Sequence, residues 1–390
     1  MAAAAGATVA PVPRVGFLGS YSIDNAGDVI VGLATRQAVR ARATCDEVVL
    51  AVELPGTLWH HDWTGIQRVP PGDLDGDFAA GLDALVVGGG GILMPLPGFG
   101  PFVAPARVPT AWNAVCSQST PAFDPALAPF YARVGAAAAG LRYASVRNIT
   151  TARLVRHAGY AGALHVVPDP AMLFEAPLDP AVAPAVARRT ERPLVGLSVG
   201  NALLDPRAGA FYAELLGDLE RRAAAGHIEL VVHPFGRVYG DVELARRAAA
   251  AMPHARLVGL DLDATATWQL VGTLDLAICA RLHAAIAAYA QGVPFLACDE
   301  YLADTTATSK LRELVVDREL EAAYLSPFLG GRVAARLELA LGQRAILASR
   351  MRAALAIDRA ALARHFDRLV AALALPAVSP SSGGARSPSD

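Results

Sequence analysis

Residues 14–32 read RVGFLGSYSIDNAGDVIVG, a short apolar run followed by a loop and then by a helical pattern that begins near Asn25. Short β-rich runs that alternate with helical segments are typical of parallel βαβ units rather than of an antiparallel meander. The alternation continues through the first half of the chain. It predicts strands at 14–18, 47–52, 83–87, 142–146 and 164–167 and helices at 27–42, 125–139 and 150–158, the last capped by Thr150 or Thr151.

A second alternation begins after the Pro- and Ala-rich stretch 176–193. It predicts strands at 194–199, 228–232, 274–279 and 294–298 and helices at 208–225, 240–251 and 281–290. We therefore expect an α/β protein with two facing Rossmann-like lobes, residues 14–175 and 194–331, joined by a linker at 176–193. Amphipathic helices at 332–372 could cross back over the first lobe, and residues 373–390 have the composition of a disordered tail.

The composition excludes several classes of protein. With 390 residues, of which 54% are hydrophobic and 18% charged, the chain can bury large cores and is not disordered. A net charge of −2 provides no basic field for nucleic acid, so an anionic ligand must be bound by a local cluster of cations. The four cysteines lack CxxC spacing, so we expect reduced thiols and no metal site.

The N-terminus and the hydropathy of the chain indicate its compartment. Residues 1–14 lack the basic region of a signal peptide, and no apolar stretch has the length of a membrane helix. We therefore expect a cytoplasmic protein without a transmembrane segment, and peripheral contact with the inner membrane face stays open.

Two glycine-containing loops follow predicted strands of the first lobe. Asn25, Gly27 and Asp28 lie where the first loop turns into a helix, whose free N–H groups can bind an anion or a sugar hydroxyl; an Asx turn with a helix cap explains them equally well. No dinucleotide fingerprint is present, which disfavours NAD. The second loop, Gly88-Gly89-Gly90-Gly91, leaves room for a ligand or for the facing lobe, although a flexible turn is the alternative.

Charged side chains follow two further strands of the first lobe. Ser145-Val146-Arg147-Asn148 places a guanidinium at the sheet edge, where it can bind a carboxylate or phosphate or form a structural salt bridge. Asp169-Pro170 indicates a turn rather than a catalytic acid. The aromatic and Pro-rich segment 99–112 is expected to line an acceptor groove.

The second lobe contributes His233 at the end of one strand and Arg281 and His283 after another. The latter two lie at a helix N-terminus, where backbone N–H groups, the helix dipole and a guanidinium can converge on one anion. Lys310, the only lysine of the chain, follows the next strand and its loop. Because open parallel sheets bind ligands beyond the carboxyl ends of their strands, we expect these residues at one edge. A surface arginine and a packed histidine are the alternative.

The order of these motifs resembles that in the polysaccharide pyruvyl transferases. The resemblance covers roughly residues 14–315 and rests on Asn25-Ala26-Gly27-Asp28, Gly88-Gly89-Gly90-Gly91, Ser145-Val146-Arg147-Asn148, Asp169-Pro170, Arg281-Leu282-His283 and Gly292-Val293-Pro294. It implies a fold like that of two-lobed GT-B glycosyltransferases and transfer of a pyruvyl group from phosphoenolpyruvate to two hydroxyls of a sugar, which forms a cyclic ketal. Asn148, where the family often has Asp, and a longer loop between 301 and 310 depart from the family pattern.

The same resemblance implies that Arg281, Leu282, Ser145, Arg147 and Lys310 bind the donor. Phosphoenolpyruvate carries a carboxylate and a phosphate, and the three cations of this set can neutralise them without a metal or other cofactor.

His283 is the predicted general acid or base, since imidazole serves both roles near neutral pH, and Asp28 is the predicted base on the acceptor side. The acceptor could be a polysaccharide, a lipid-linked repeat unit or a glycoside. A glycosyltransferase that uses a nucleotide sugar and a non-catalytic sugar-binding protein are the alternatives.

Overall fold

The structure is a computed structural model that describes residues 11–21, 25–52, 66–96, 98–105, 107–117, 124–182, 190–236, 240–300, 309–326 and 333–378. Within these ranges, seven parallel strands form the sheet of the first lobe, in the spatial order β3-β2-β1-β4-β5-β6-β7. They are β1 (Arg14–Gly19), β2 (Asp46–Val52), β3 (Gln67–Val69), β4 (Ala84–Gly88), β5 (Thr110–Val115), β6 (Tyr143–Val146) and β7 (His165–Val166). The helices α1 (Ala26–Arg40), α2 (Ala128–Ala139) and α3 (Ile149–His157) connect them.

The second lobe repeats the arrangement with a parallel sheet in the order β10-β9-β8-β11-β12-β13. Its strands are β8 (Leu194–Ser198), β9 (Glu229–Val232), β10 (Ala255–Leu257), β11 (Leu276–Cys279), β12 (Phe295–Cys298) and β13 (Tyr324–Leu325). Its helices are α4 (Gly209–Ala224), α5 (Asp241–Ala250), α6 (Ala264–Gly272), α7 (Leu282–Ala290) and α8 (Lys310–Val316), and α9 (Val333–Gly342) and α10 (Arg344–Ala372) follow. The predicted fold class, two Rossmann-like α/β lobes, is confirmed.

Several elements differ from the sequence prediction. Residues 110–112, which were assigned to a groove-lining loop, belong to β5, a fully buried strand between β4 and β6. The strands β3, β10 and β13 and the helices α6 and α8 were not predicted. The cap of α3 is Asn148, whose Oδ1 accepts a hydrogen bond from the Thr151 N–H at 2.9 Å, rather than Thr150 or Thr151.

One apolar core is shared by the two lobes. Val29 and Ile30 of α1 pack in the same cluster as Trp268 of α6 and Ala284 of α7. The first turns of α1 and α7 meet at this interface, where the backbone of Gly27 lies against the ring of His283. The packing of these helices therefore brings the loops of both lobes together.

The last helix, α10, packs on both lobes. Met351 and Leu355 belong to the shared core, whereas Phe366 and Leu369 pack against the first-lobe sheet. Beyond the helix, Ala377 forms an antiparallel bridge with Ala43, so residues 373–378 of the predicted tail lie on the first lobe. Residues 379–390, like 183–189 of the predicted linker, lie outside the described ranges. None of the described helices has both the length and the apolar character needed to cross a membrane.

Candidate active site

Five titratable side chains meet in the cleft between the lobes, and we call them the central cluster: Asp28, Arg147 and Asp169 of the first lobe and His283 and Lys310 of the second. Asp28 lies in the first turn of α1, which Asn25 caps by accepting a hydrogen bond from the Gly27 N–H at 3.0 Å. The Asn25 Nδ2 also donates to Asp28 Oδ2 at 3.2 Å. Asn25 therefore both caps α1 and orients Asp28, so the two interpretations of this loop describe the same residues.

Asp28 is 5% exposed. Burial raises the pKa of its carboxyl, and the nearby His283, Arg147 and Lys310 oppose this rise. A carboxyl with a raised pKa is a stronger base than an exposed one when it is ionised. Asp28 is thus suited to accepting a proton from a hydroxyl.

Two glycines allow the close approach of backbone to this cluster. A Cβ at Gly27 would lie 2.0 Å from His283 Cγ. A Cβ at Gly90 would lie 2.2 Å from Asp28 Oδ1, and Gly90 has a φ of 68° in the left-handed region. Gly89 also has a positive φ and contacts α1, and Gly91 ends the run. The glycine loop after β4 is therefore a close-packed wall of the cleft.

Arg147, Asp169 and His283 form one contact set. The Arg147 Nη1 donates to Asp169 Oδ2 at 2.6 Å and lies 3.4 Å from His283 Nε2, which in turn lies 3.5 Å from Asp169 Oδ2. Burial would raise the pKa of Asp169, but Arg147 and His283 outweigh it and hold that pKa well below its usual value. The Arg147–Asp169 pair is 8% and 2% exposed, so Arg147 is a fixed cation in the cleft.

Lys310 is the first residue of α8, which is capped by Ser309. Burial and the neighbouring Arg147 lower the pKa of Lys310. The Nζ makes no hydrogen bond with the described part of the chain. Lys310 is therefore a second cation of the cleft, brought to Arg147 from the other lobe.

Cys116, directly after β5, interacts with both of these cations. Burial opposes ionisation of its thiol, but Arg147 and Lys310 outweigh burial and lower the pKa of Cys116. The thiol donates to Ser117 O at 3.0 Å. Anions are therefore favoured at this end of the cleft, as expected where α1, α3 and α7 begin.

A pocket of about 220 Å³ opens beside Arg147 and Lys310. Val167 and Met172 of the first lobe and Leu282 of the second are among its apolar lining. The predicted donor residue Leu282 thus faces the same space as both cations.

The structure separates Arg281 from the central cluster. The side chain forms an ion pair with Asp241 of α5, with Nε 3.1 Å from Oδ1, and its Nη2 donates to Asn201 Oδ1 at 3.3 Å. Tyr212 and Glu300 lie beside this pair and are hydrogen bonded to each other. Of the predicted second-lobe edge, His283 and Lys310 therefore meet, whereas Arg281 lies in a neighbouring cluster.

Ser145 and His233 are buried, and their printed contacts are with backbone groups of their own lobes. Ser145 Oγ donates to Trp112 O and accepts from the Ala114 N–H, both at 2.9 Å, and so joins β6 to β5. His233 Nδ1 lies 3.2 Å from Pro234 O, and burial lowers the pKa of His233 to about 4. Both side chains are occupied within the protein.

Asp169 and Cys116 are residues of the site that the sequence did not identify. Asp169 was assigned to a turn, and it does accept from the Ala171 N–H at 2.9 Å, but its other oxygen holds Arg147. Its place after β7, next to the strand that carries Arg147, was the available signal. For Cys116 the strand before it was itself missed. The described residues contain no group of three His, Cys, Asp or Glu side chains that could hold a metal ion.

Comparisons with solved structures show the GT-B architecture. The UDP-GlcNAc 2-epimerase from Neisseria meningitidis, bound to UDP-GlcNAc, has 8% identity and a TM-score of 0.57, covering 92% of this chain and 100% of its own. The S. aureus MnaA–UDP structure has 10% identity and a TM-score of 0.54, with 87% and 91% covered. Arabidopsis thaliana UGT89C1 complexed with UDP-L-rhamnose has 11% identity and a TM-score of 0.51, with 94% and 100% covered.

These identities show a shared fold and nothing finer. No match was found among curated protein sequences. The sequence profile of the polysaccharide pyruvyl transferases matches residues 25–300, which include Asp28, Arg147 and His283 and most of both lobes. The chain therefore belongs to the polysaccharide pyruvyl transferase family.

Proposed function

We propose that the protein transfers the pyruvyl group of phosphoenolpyruvate to two hydroxyls of one sugar, forming a cyclic ketal and releasing phosphate. The observation that carries the proposal is the meeting of Arg147 and Lys310, from opposite lobes, beside Asp28 and His283. Two fixed cations suit a donor with a carboxylate and a phosphate, and the adjacent acid–base groups suit the proton transfers.

Donor binding is assigned to Arg147 and Lys310. Asp169 occupies one nitrogen of the Arg147 guanidinium and Cys116 is a second hydrogen-bond partner, so the remaining donors of the five-donor fork are assigned to a planar anion. Lys310 is the point charge of the pair. For Arg281 to reach the same ligand, its guanidinium would have to leave Asp241.

The reaction forms three bonds at the pyruvyl group and breaks two, and the protons balance. The carbon–carbon π bond of phosphoenolpyruvate breaks as its methylene carbon gains a proton, two sugar oxygens form bonds to the central carbon, and the carbon–oxygen bond to phosphate breaks. The two hydroxyls release two protons, one of which balances the proton added to the methylene. The other leaves with phosphate or solvent.

His283 and Asp28 are assigned to these proton transfers. His283 Nε2 lies 3.5 Å from Asp169 Oδ2 and 3.4 Å from Arg147 Nη1, so this ring nitrogen faces the place assigned to the donor. We assign to His283 the transfer of a proton to the methylene carbon, because imidazole can act as a general acid. Asp28, which lies near His283 in the first turn of α1, receives a hydroxyl proton.

The acceptor is a sugar of a polysaccharide, a lipid-linked repeat unit or a glycoside. Phosphoenolpyruvate as donor places the reaction in the cytoplasm, and a lipid-linked acceptor would bring the protein to the inner membrane face. The acceptor would approach from the cleft beside Asp28.

The decisive experiment supplies the protein with a panel of glycans and either phosphoenolpyruvate or nucleotide sugars. Phosphate release is followed together with nucleoside diphosphate release, and the glycans are examined by mass spectrometry for a pyruvate ketal. We expect acceptor-dependent phosphate release from phosphoenolpyruvate and the ketal product. Release of nucleoside diphosphate without phosphate would instead establish a glycosyltransferase and overturn the proposal. His283→Asn, which retains a neutral polar side chain, serves as the inactive control.

A further inference from the structure

We propose that Glu313 is a positioning residue that holds Lys310 in the central cluster by fastening α8 to the start of α3 across the cleft. The kinetic test of this inference rests on the proposed function, because it assumes that Lys310 binds the donor. Its structural part, the control of Lys310 by Glu313, stands independently of the reaction.

Glu313 and Lys310 lie on the same face of α8. They are three residues apart, a spacing that makes side chains neighbours on a helix surface. Lys310 interacts with Arg147 and Asp28, and both Glu313 and Lys310 line the pocket beside Arg147. Whatever anchors Glu313 therefore also fixes the position of Lys310.

The anchor is Thr150, in the first turn of α3 on the other lobe. The Thr150 hydroxyl donates to Glu313 Oε1 at 2.8 Å. The same helix begins directly after Arg147 and Asn148, and a carboxylate is favoured at a helix N-terminus. The contact thus joins the two segments that carry the two cations.

The contact between Thr150 and Glu313 is needed because a charged Lys310 is disfavoured at this buried position. Burial disfavours its charged form, and Arg147 adds repulsion, whereas Cys116, Asp28 and Glu313 attract it. A flexible lysine side chain under these conditions would turn to solvent if its helix were free to move away. Burial and Asp317 raise the pKa of Glu313, whereas hydrogen bonds from Thr150 and Asn148, at the start of α3, oppose that rise.

Lys310 is the only lysine, which gives a readout that does not require activity. Reductive ¹³C-methylation labels Lys310 and the N-terminal amine, and Lys310→Arg identifies the Lys310 signal in the NMR spectrum. We expect Glu313→Ala to raise the Lys310 pKa toward that of a free lysine, because Lys310 leaves the cluster. Glu313→Gln keeps an acceptor for Thr150 and should not raise it.

Loss of the Glu313 charge without movement of Lys310 would change the Lys310 pKa in the opposite direction. The Glu313 carboxylate raises the pKa of Lys310, so its removal without movement would lower that pKa in both variants. Equal lowering in Glu313→Ala and Glu313→Gln would therefore overturn the proposal. Urea unfolding of both variants verifies that the titrated protein is folded.

Turnover provides the second test. Glu313→Ala should raise KM for phosphoenolpyruvate about 10-fold with little change in kcat, and Glu313→Gln should restore KM to within about 2-fold of wild type. Thr150→Val should reproduce the loss and Thr150→Ser should not. In a Lys310→Met background Glu313→Ala should have no further effect, because the residue acts through Lys310. Additive losses would contradict the proposal, whereas a wild-type protein inactive with phosphoenolpyruvate would contradict only the proposed function.

Discussion

Adding one methyl group at Gly27 tests whether His283 must lie against the first turn of α1. In Gly27→Ala the new Cβ would lie 2.0 Å from Cγ and Nδ1 of His283. Nonbonded carbon atoms pack best at about 3.5–4.0 Å, so the ring or the helix must move by about 1.5 Å to restore an ordinary contact. Displacements of about 1 Å can cost about 100-fold in rate, and we expect kcat/KM to fall by about that factor. Overpacking should also lower the free energy of unfolding by about 1–3 kcal/mol.

Gly217→Ala is the matched control. Gly217 lies inside α4, and a Cβ there would meet only the Arg221 Nη1 at 3.5 Å, an ordinary contact. Alanine in a helix interior should stabilise the protein by about 0.5–1 kcal/mol, without loss of activity. Acceptor-dependent phosphate release and urea unfolding measure both variants. A folded Gly27→Ala protein with wild-type kcat/KM would refute the assignment of His283 to this position in the reaction.

Three further predictions concern charges. Asp169→Asn leaves Arg147 buried without its anion and should lower the free energy of unfolding by about 3–5 kcal/mol in urea. Because the pKa of Asp169 is depressed in the folded protein, the stability that its carboxylate contributes is present above about pH 4 and is lost as the pH falls below that value. The variant should lack this acid-dependent loss of stability. Lys310→Met should raise KM for phosphoenolpyruvate about 10- to 100-fold in steady-state kinetics, more than it lowers kcat. The pKa of His233 is about 4 in the folded protein and 6.5 ordinarily, so protonation of the unfolded chain should lower the free energy of unfolding as the pH falls from 6.5 to about 4. His233→Gln should reduce this pH dependence and keep wild-type turnover. Urea unfolding at several pH values and steady-state kinetics measure the two effects.

The sequence predicted the strands that lie in a run of mainly apolar residues, including the short β7, and it missed β5 and three short strands. β5 carries Asn113, which is fully buried because its Nδ2 donates to Thr35 and its Oδ1 contacts His365. These partners are far away in the chain, so the segment resembles a loop until they are known. β3, β10 and β13 are two- or three-residue strands toward the sheet edges, too short for a periodic pattern.

For the site, position along the chain predicted which loops meet but not which side chains turn to each other. Arg281 and His283 are two residues apart, yet one contacts Asp241 of its own lobe and the other contacts Arg147 of the opposite lobe. Sequence spacing cannot resolve this divergence, since it depends on the extended backbone of Arg281 before α7. The glycines gave better guidance because close packing against Asp28 and His283 excludes any side chain at Gly90 and Gly27.

The helix α10 has a mechanical consequence. Its 29 residues span about 44 Å and are bound at one end to the core shared by the lobes and at the other to the first-lobe sheet. A helix packed at both ends resists a hinge rotation that would separate the lobes. Such a rotation would bend α10 or remove Phe366 and Leu369 from their contacts with the first-lobe sheet. Substrates should therefore enter by local rearrangement at the rim of the cleft, and the gap between Arg147 and Lys310 should keep nearly constant width through the catalytic cycle.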